Sequence, residues 1–218
     1  MAHPGYSPGE ERANRLTHGL GVVGSVAGLA LMVYYSARHG DAWQIVSTAI
    51  FGVTLVLLYT TSTLYHSFQG ERRKALLQKF DHAAIFLLIA GTYTPFVLVT
   101  LRGPWGWSLF GVVWALAVAG VTLKFWFAGR FRLVSTLLYL GMGWLVLIAL
   151  KPLMAALPAG GLHLLMAGGF CYTGGAVFYL WRRLPYNHAI WHLFVLVGSA
   201  CHWAAVFRYV VPGATAAP

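Results

Sequence analysis

The chain has 218 residues, of which 59% are hydrophobic and only 9% are charged, and its mean hydropathy is +0.69. Soluble domains carry roughly a quarter charged residues. This composition excludes an ordinary soluble protein and indicates an integral membrane protein. The net charge of +10 alone would suggest nucleic acid as a partner, but the positions of the basic residues assign it to membrane topology.

Seven apolar stretches approach the roughly 20 residues that cross a bilayer as a helix: residues 16–37, 43–66, 80–101, 105–127, 131–150, 162–181 and 188–211. Lipid cannot satisfy unpaired backbone groups, so stretches of this length form helices. The sequence therefore predicts an all-α fold, a seven-transmembrane helical bundle over residues 16–211. Residues 1–15 and 212–218 are expected to be short tails, with no separate soluble domain.

The basic residues are distributed unevenly between the two ends of this bundle. The N-terminal tail and every second connector hold 11 of the 15 lysines and arginines, and the alternate set holds 4. Cytoplasmic segments retain the excess of basic residues. We therefore expect the N-terminus in the cytoplasm and the C-terminus outside.

Several ionisable side chains fall at the cytoplasmic edge of the predicted spans. His66 ends the second span, Asp81 begins the third, and His188 and His192 begin the seventh. Ionisable groups at such depths are rare and usually functional. The charge count made no use of histidine, yet it places all four residues at one end of the bundle.

These residues match the chemistry of a catalytic zinc site. His188 and His192 are four residues apart, which places both rings on one helix face. With His66 they supply the three protein ligands that catalytic zinc commonly uses, leaving one position for water. Asp81 would hold that water, and Ser62, one turn from His66, would bond to the water or the substrate. Copper or iron also binds imidazole, but an open oxygen position favours zinc.

Each assignment has a structural alternative. Asp81 is suited to cap the third helix, and Ser62 to bond back to a carbonyl one turn earlier. Glu11, Asn14 and His18 are either side chains that orient the metal ligands or a polar helix start at the headgroups.

Two further histidines are expected to lie outside the metal site. His202 is ten residues beyond His192, roughly 15 Å deeper at 1.5 Å per residue, so it cannot share the same ion. We predict a hydrogen-bonding role for it in the core. His82 points about 100° away from Asp81 on a helix and is expected to reach the membrane interface.

Four segments of the chain carry a family resemblance. ERANRLTHGLG, STLYH, FDHAAIFLLIAGTYTPF and HAIWHLFVLVGSACHW occur in this order, and the chain resembles the hemolysin III branch of the progestin and adipoQ receptor family from Glu11 to about Phe207. The resemblance implies an N-inside, multi-pass protein of the plasma membrane, the inner membrane in bacteria. It also implies a zinc triad at His66, His188 and His192, with Asp81 and Ser62 beside it.

Three functions are compatible with these observations. The first is a zinc-dependent hydrolase of lipid amides or esters, which the resemblance implies through ceramide-type substrates and membrane homeostasis. The second is a non-catalytic, zinc-stabilised sensor or regulator of membrane fluidity, and the third is a cytolytic membrane protein. Membrane lipids are the expected partners, and the substrate and oligomeric state are left open. A retinal protein is excluded because the seventh span contains no lysine.

Overall fold

The structure is a computed structural model that describes residues 6–127 and 131–212. The described residues contain seven helices long and apolar enough to cross a membrane: α1 (Pro8–His39), α2 (Ala42–Ser67), α3 (Glu71–Thr100), α4 (Pro104–Phe127), α5 (Arg132–Ala156), α6 (Ala159–Leu180) and α7 (Asn187–Tyr209). The predicted all-α, seven-helix architecture is confirmed. Residues 1–5 and 213–218 of the predicted tails, and Arg130 of the charge count, lie outside the described residues.

Two of the helices begin well before the predicted spans. α1 starts at Pro8, where Ser7 caps it: the Glu10 backbone N–H lies 3.3 Å from Ser7 Oγ, and the Ser7 N–H lies 2.8 Å from Glu10 Oε2. α3 starts at Glu71. A hydropathy window detects only the part of a helix that is apolar, whereas a helix continues for as long as its backbone is capped and supported. The first turns of α1 and α3 therefore form a polar extension at one end of the bundle.

The burial pattern of α1 is the reverse of that in a soluble helix. Its buried positions include Asn14, His18 and Ser25, while Leu20 and Val23 are 71% and 70% exposed. Small and polar residues at helix contacts with apolar residues facing outward are typical of a helix surrounded by lipid. The same pattern places the polar face of α1 against its neighbours, where it reaches the candidate site.

Helix packing brings α1, α2, α3 and α7 together around that site. α1 packs against α2 and α7, α2 against α3, and α3 also contacts α4 and α5; α6 packs against α7. α3 is the most buried of the seven spans. Its contact with α2 depends on Gly91, because a Cβ there would lie 2.1 Å from Thr54 Oγ1.

Candidate metal centre

Three histidines from two helices converge at one end of the bundle. Each of His66 on α2 and His188 and His192 on α7 offers a ring nitrogen, and these three atoms all lie within 4.8 Å of one another. All three side chains are buried, and the ring centroids are 4.4 to 5.3 Å apart. Two histidines one turn apart on α7 give a shared face, and α2 supplies the third ring from across the interface. The structure thus brings together the three residues predicted as ligands, and the cluster is able to hold a metal ion.

In His66 and His192 the hydrogen bonds are made by Nδ1, which leaves Nε2 of each ring available to a metal ion. His66 Nδ1 lies 2.6 Å from Glu11 Oε2, and His192 Nδ1 lies 3.2 Å from the Asn14 carbonyl and 3.1 Å from Thr17 Oγ1. A carboxylate and a carbonyl accept hydrogen bonds, so Nδ1 carries the proton in both rings and Nε2 keeps its lone pair. Histidines that bind metals usually donate their other N–H in this way. The donor set therefore fits a metal ion that is held by neutral imidazoles, zinc among them.

Orphaned ring nitrogens support the same assignment. Within the described residues, His66 Nε2 and both ring nitrogens of His188 are buried and have no hydrogen-bond partner. Buried polar atoms without partners are uncommon because they lose hydration without compensation. A metal ion at the centre of the three rings would remove this deficit.

Glu11 connects the centre to a third helix. Its Oε1 atom accepts a hydrogen bond from the Lys74 ammonium at the start of α3, while its Oε2 faces His66. The carboxylate is therefore held between a cation and an imidazole. The early starts of α1 and α3, which the hydropathy pattern does not detect, bring Glu11 and Lys74 to this position.

His18 forms a fourth imidazole next to the centre. Its ring stacks on that of His192 with centroids 3.4 Å apart and an angle of 15° between the planes. It is buried, and neither nitrogen has a partner among the described residues. Glu11, Asn14 and His18 thus lie against the metal-centre histidines rather than forming a polar helix start at the headgroups.

Asp81 and Ser62 face the same cavity as two of the three histidines of the metal centre. Both residues line it together with His188 and His192. Asp81 does not cap α3, because that helix begins at Glu71, ten positions earlier in the chain. It is not one of the three residues whose ligand atoms cluster, which agrees with a position beside an ion rather than on it.

The Ser62 hydroxyl differs from those of its neighbours on α2. Thr61 and Thr63 each donate a hydrogen bond of 2.8 and 2.7 Å to the carbonyl four residues earlier. Ser62 Oγ is buried and has no partner in the described part of the chain. The predicted alternative, a bond back to a carbonyl, is not seen for Ser62, so its hydroxyl is available to a molecule in the cavity.

The cavity extends from the metal centre between α3, α5, α6 and α7 towards His202. Most of its wall is apolar, with Ile85, Leu88 and Val195 among the lining side chains.

His82 also lines this cavity, so the prediction that it reaches the membrane interface is wrong. Its Nδ1 lies 2.9 Å from the Gln78 carbonyl, and this bond within α3 turns the ring inward. The predicted core hydrogen bond of His202 is present, from Nδ1 to the Gly198 carbonyl at 2.7 Å.

Tyr6 covers the metal centre and was not predicted from the sequence. Its ring stacks on that of His188, with centroids 5.1 Å apart and an interplanar angle of 28°, and lies 5.8 Å from His66. Burial is the main cause that raises the pKa of the Tyr6 phenol above its usual range. The segment is held in place by Glu10, whose Oε1 accepts a hydrogen bond of 3.1 Å from the Tyr186 backbone N–H. No pattern in the sequence marks Tyr6, because its position depends on the chain crossing over α7.

Comparisons with known proteins agree with this architecture. A family profile described as "Haemolysin-III related" matches residues 6–203. The chain is 49% identical over 206 residues to Hemolysin-3 of Bacillus cereus, covering 94% of each chain, and 50% identical over 202 residues to the Hemolysin-3 homolog of Bacillus subtilis (strain 168), covering 93% of this chain and 95% of the relative.

A more distant likeness extends to animals. The chain is 29% identical over 207 residues to the human monocyte to macrophage differentiation factor, covering 92% of this chain and 84% of the relative. No solved structure matches. The matched profile covers the first six helices, most of α7 and all residues of the metal centre, so the chain belongs to the haemolysin-III-related family, a branch of the progestin and adipoQ receptor family.

Proposed function

We propose that this protein is a zinc-dependent hydrolase that cleaves amide or ester bonds of lipids within the membrane. The observation that carries the proposal is the shared cavity: two of the three clustered histidines, His188 and His192, open onto one mostly apolar space together with the buried Asp81 carboxylate and the unpartnered Ser62 hydroxyl. An apolar cavity accommodates a lipid chain, and the polar groups at one end lie where the scissile bond would sit.

The chain's own residues have distinct roles in this chemistry. His66, His188 and His192 hold the ion, and Glu11 orients His66 through its Nδ1–H. When bound, zinc would supply Lewis-acid polarisation of the scissile carbonyl and lower the pKa of a water in the site. Asp81 accepts a proton from the attacking water and returns it to the leaving nitrogen or oxygen, so the reaction consumes one water and releases an acid and an amine or alcohol.

Ser62 and Tyr6 complete the polar end of the cavity. Ser62 Oγ has its proton free to donate to the substrate carbonyl or to orient the water. Tyr6 closes the centre on the side where the chain enters α1. Excluding bulk water from the site strengthens the electrostatic interactions within it.

A second candidate function rests on the connections of the metal centre. Its rings come from α2 and α7, and its outer hydrogen bonds come from α1. An ion at this point would link three helices, as structural metal sites do. A zinc-stabilised sensor or regulator of the membrane, without catalysis, therefore uses the same residues. The relative from Bacillus cereus is named Hemolysin-3. A secreted cytolysin must reach its target membrane in a water-soluble form. The apolar side chains that α1 exposes argue against such a form.

The proposal includes the predicted orientation in the plasma membrane. With the N-terminus in the cytoplasm, the metal centre lies near the cytoplasmic surface, since the starts of α1, α3 and α7 and the end of α2 share that end of the bundle. Reporter fusions after residues 40 and 69 test this. The orientation is supported if the reporter after residue 40 lies outside the membrane and the reporter after residue 69 lies in the cytoplasm. The reverse placement overturns it.

Hydrolysis is tested by incubating detergent-purified, zinc-loaded protein with a library of lipid amides and esters. We expect product from the native protein and none from Asp81→Asn, with zinc retained in both. Asp41→Asn is the matched control, because Asp41 is an exposed cap of α2 and Asn is an equally good capping residue. Lack of turnover of every lipid by zinc-loaded native protein would favour the regulator.

A further inference from the structure

The cavity has a second polar point far from the metal centre. His202 lies on α7 ten residues beyond His192, roughly 15 Å along the helix, and lines the same cavity as His188 and His192. Only 8% of its surface is exposed. An ionisable residue at such depth in a membrane helix is costly unless it has a partner or a function.

The hydrogen bonding of His202 defines which atom faces a ligand. Nδ1 lies 2.7 Å from the Gly198 carbonyl, and a carbonyl oxygen only accepts, so Nδ1 carries the proton. The neutral ring then has its lone pair on Nε2. In the portion of the chain that the structure describes, Nε2 has no hydrogen-bond partner. His202 thus presents a hydrogen-bond acceptor, not a donor, at this depth.

The ring is held firmly in this orientation. It stacks on Tyr172, with centroids 5.2 Å apart and planes 11° from parallel, and the Tyr172 hydroxyl is itself bonded to Ser199 Oγ at 3.0 Å. On the other side, Gly168 gives the ring its room, because a Cβ there would lie 2.3 Å from His202 Cε1. An acceptor fixed by packing and hydrogen bonds is preorganised for binding.

Other polar side chains near this end of the cavity already have partners. Thr173 donates to the Gly169 carbonyl at 2.8 Å and accepts from Trp144 Nε1 at 3.0 Å. The Tyr93 hydroxyl lies 2.8 Å from the Gly143 carbonyl. The lone pair of His202 Nε2 therefore stands out as unused within a wall that otherwise suits an apolar chain.

We propose that the end of the cavity remote from the metal centre is a subsite for a hydroxyl group carried on the lipid chain, with His202 Nε2 as its acceptor. This inference takes the cavity as the lipid site of the proposed function, but it requires binding only and not hydrolysis. The ligand class is a long-chain lipid whose polar linkage lies at the metal centre and whose chain bears a hydroxyl about as far away as His202 is from His192. A lipid without that hydroxyl would leave the acceptor unpaired, which lowers its affinity.

The test measures equilibrium binding of matched long-chain acyl amides to detergent-purified protein carrying Asp81→Asn, so that no probe is consumed. One probe is unsubstituted, and the others carry a single hydroxyl at increasing distances from the amide. We expect binding about fivefold tighter for the hydroxyl that reaches His202 than for the unsubstituted probe, and no gain for hydroxyls midway along the chain, between the two polar ends of the cavity. Equal affinity across the series overturns the proposal.

A substitution then assigns the effect to His202. His202→Phe keeps an aromatic ring but removes the acceptor, and we expect it to abolish the hydroxyl preference, so that the hydroxylated and unsubstituted probes bind this variant with equal affinity. His39→Phe, at the exposed end of α1, is the matched control and should retain the preference. A preference that survives in His202→Phe overturns the assignment, and if that variant does not fold, the probe series on the protein with native His202 decides alone.

The two proposals can fail separately. A hydroxyl preference without hydrolysis of any lipid would reject the proposed function but not the subsite. Hydrolysis without the hydroxyl preference would reject the subsite alone.

Discussion

The Glu11 carboxylate lies 2.6 Å from Nδ1 of His66 and also accepts a hydrogen bond from Lys74. This one side chain connects the start of α1 to the end of α2 and the start of α3. It sets the tautomer of the imidazole that offers Nε2 to the metal centre. Glu11 is therefore the residue through which three helices position a single ligand atom.

Replacing Glu11 by Gln should weaken zinc binding about 10- to 100-fold, the usual effect of losing such a partner of a metal-bound histidine. The amide cannot match the charge that stabilises the Nδ1 proton. Competition titration against a chelator of known affinity measures the change. Glu71→Gln is the control, because Glu71 is an exposed acid in the first turn of α3. Equal affinities for the two variants would mean that Glu11 does not support the site.

Replacing Tyr6 by Ala should speed the release of bound metal to an excess of chelator several-fold. The Tyr6 ring covers His188 and His66, so its removal opens a path to the centre without changing a ligand. Tyr6→Phe keeps the stacked ring and should release metal at the native rate. Stopped-flow detection with a chromogenic chelator gives both rates, and Tyr34→Ala, an exposed tyrosine distant in sequence, controls for tyrosine loss in general. Identical release rates for Tyr6→Ala and the native protein would show that Tyr6 is not a cover.

Ser62→Ala should lower turnover of a lipid substrate by roughly a hundredfold, the effect of losing one hydrogen-bond donor to a developing oxyanion. Zinc content should stay unchanged, because Ser62 Oγ is not a ligand atom of the cluster. Thr63→Val provides the comparison, since the Thr63 hydroxyl is committed to the Tyr59 carbonyl. Turnover and metal content are measured on the same preparations. A Ser62→Ala protein as active as Thr63→Val would leave the serine without a catalytic role.

Gly91→Ala should destabilise the bundle by about 1–3 kcal/mol, the usual range for overpacking. The added Cβ would lie 2.1 Å from Thr54 Oγ1 at the contact of α2 with α3. Thermal unfolding in detergent measures the loss, and Thr54→Ala in the same chain should recover part of it by removing the clashing oxygen. Gly111→Ala on α4 meets no atom within 4 Å and should be close to neutral. A Gly91→Ala protein as stable as Gly111→Ala would contradict the close contact.

The sequence predicts the seven helices and the three clustered histidines because both depend on depth. Apolar length identifies each span, and an odd or even number of crossings then assigns His66, His188 and His192 to one end of the bundle. The depth of a residue in the membrane does not tell which way its side chain points around the helix axis. For this reason the prediction that His82 reaches the membrane interface is wrong. Its ring turns inward through a bond to the Gln78 carbonyl and the packing of α3 at the centre of the bundle.

The surroundings of the metal centre were harder to predict for a related reason. Glu11 and Lys74 lie in helical turns too polar for a hydropathy window, so their contact with each other was not foreseen. Tyr6 contacts His188 only because Glu10 ties the chain to Tyr186. The structure excludes only the alternatives, a back-bond for Ser62 and a cap for Asp81, through an unpartnered hydroxyl and a helix that begins at Glu71. No periodicity in the sequence encodes either fact, and the site roles of both residues stay predictions.

The central claim is that His66, His188 and His192 hold one zinc ion, and the metal content of purified protein tests it most directly. Elemental analysis of detergent-purified native protein should find one zinc per chain. His66→Ala, His188→Ala and His192→Ala should each lose most of it, while His202→Phe should retain it. Native protein that holds no stoichiometric zinc after exposure to the ion, or a His188→Ala protein that holds as much zinc as the native chain, would contradict the account.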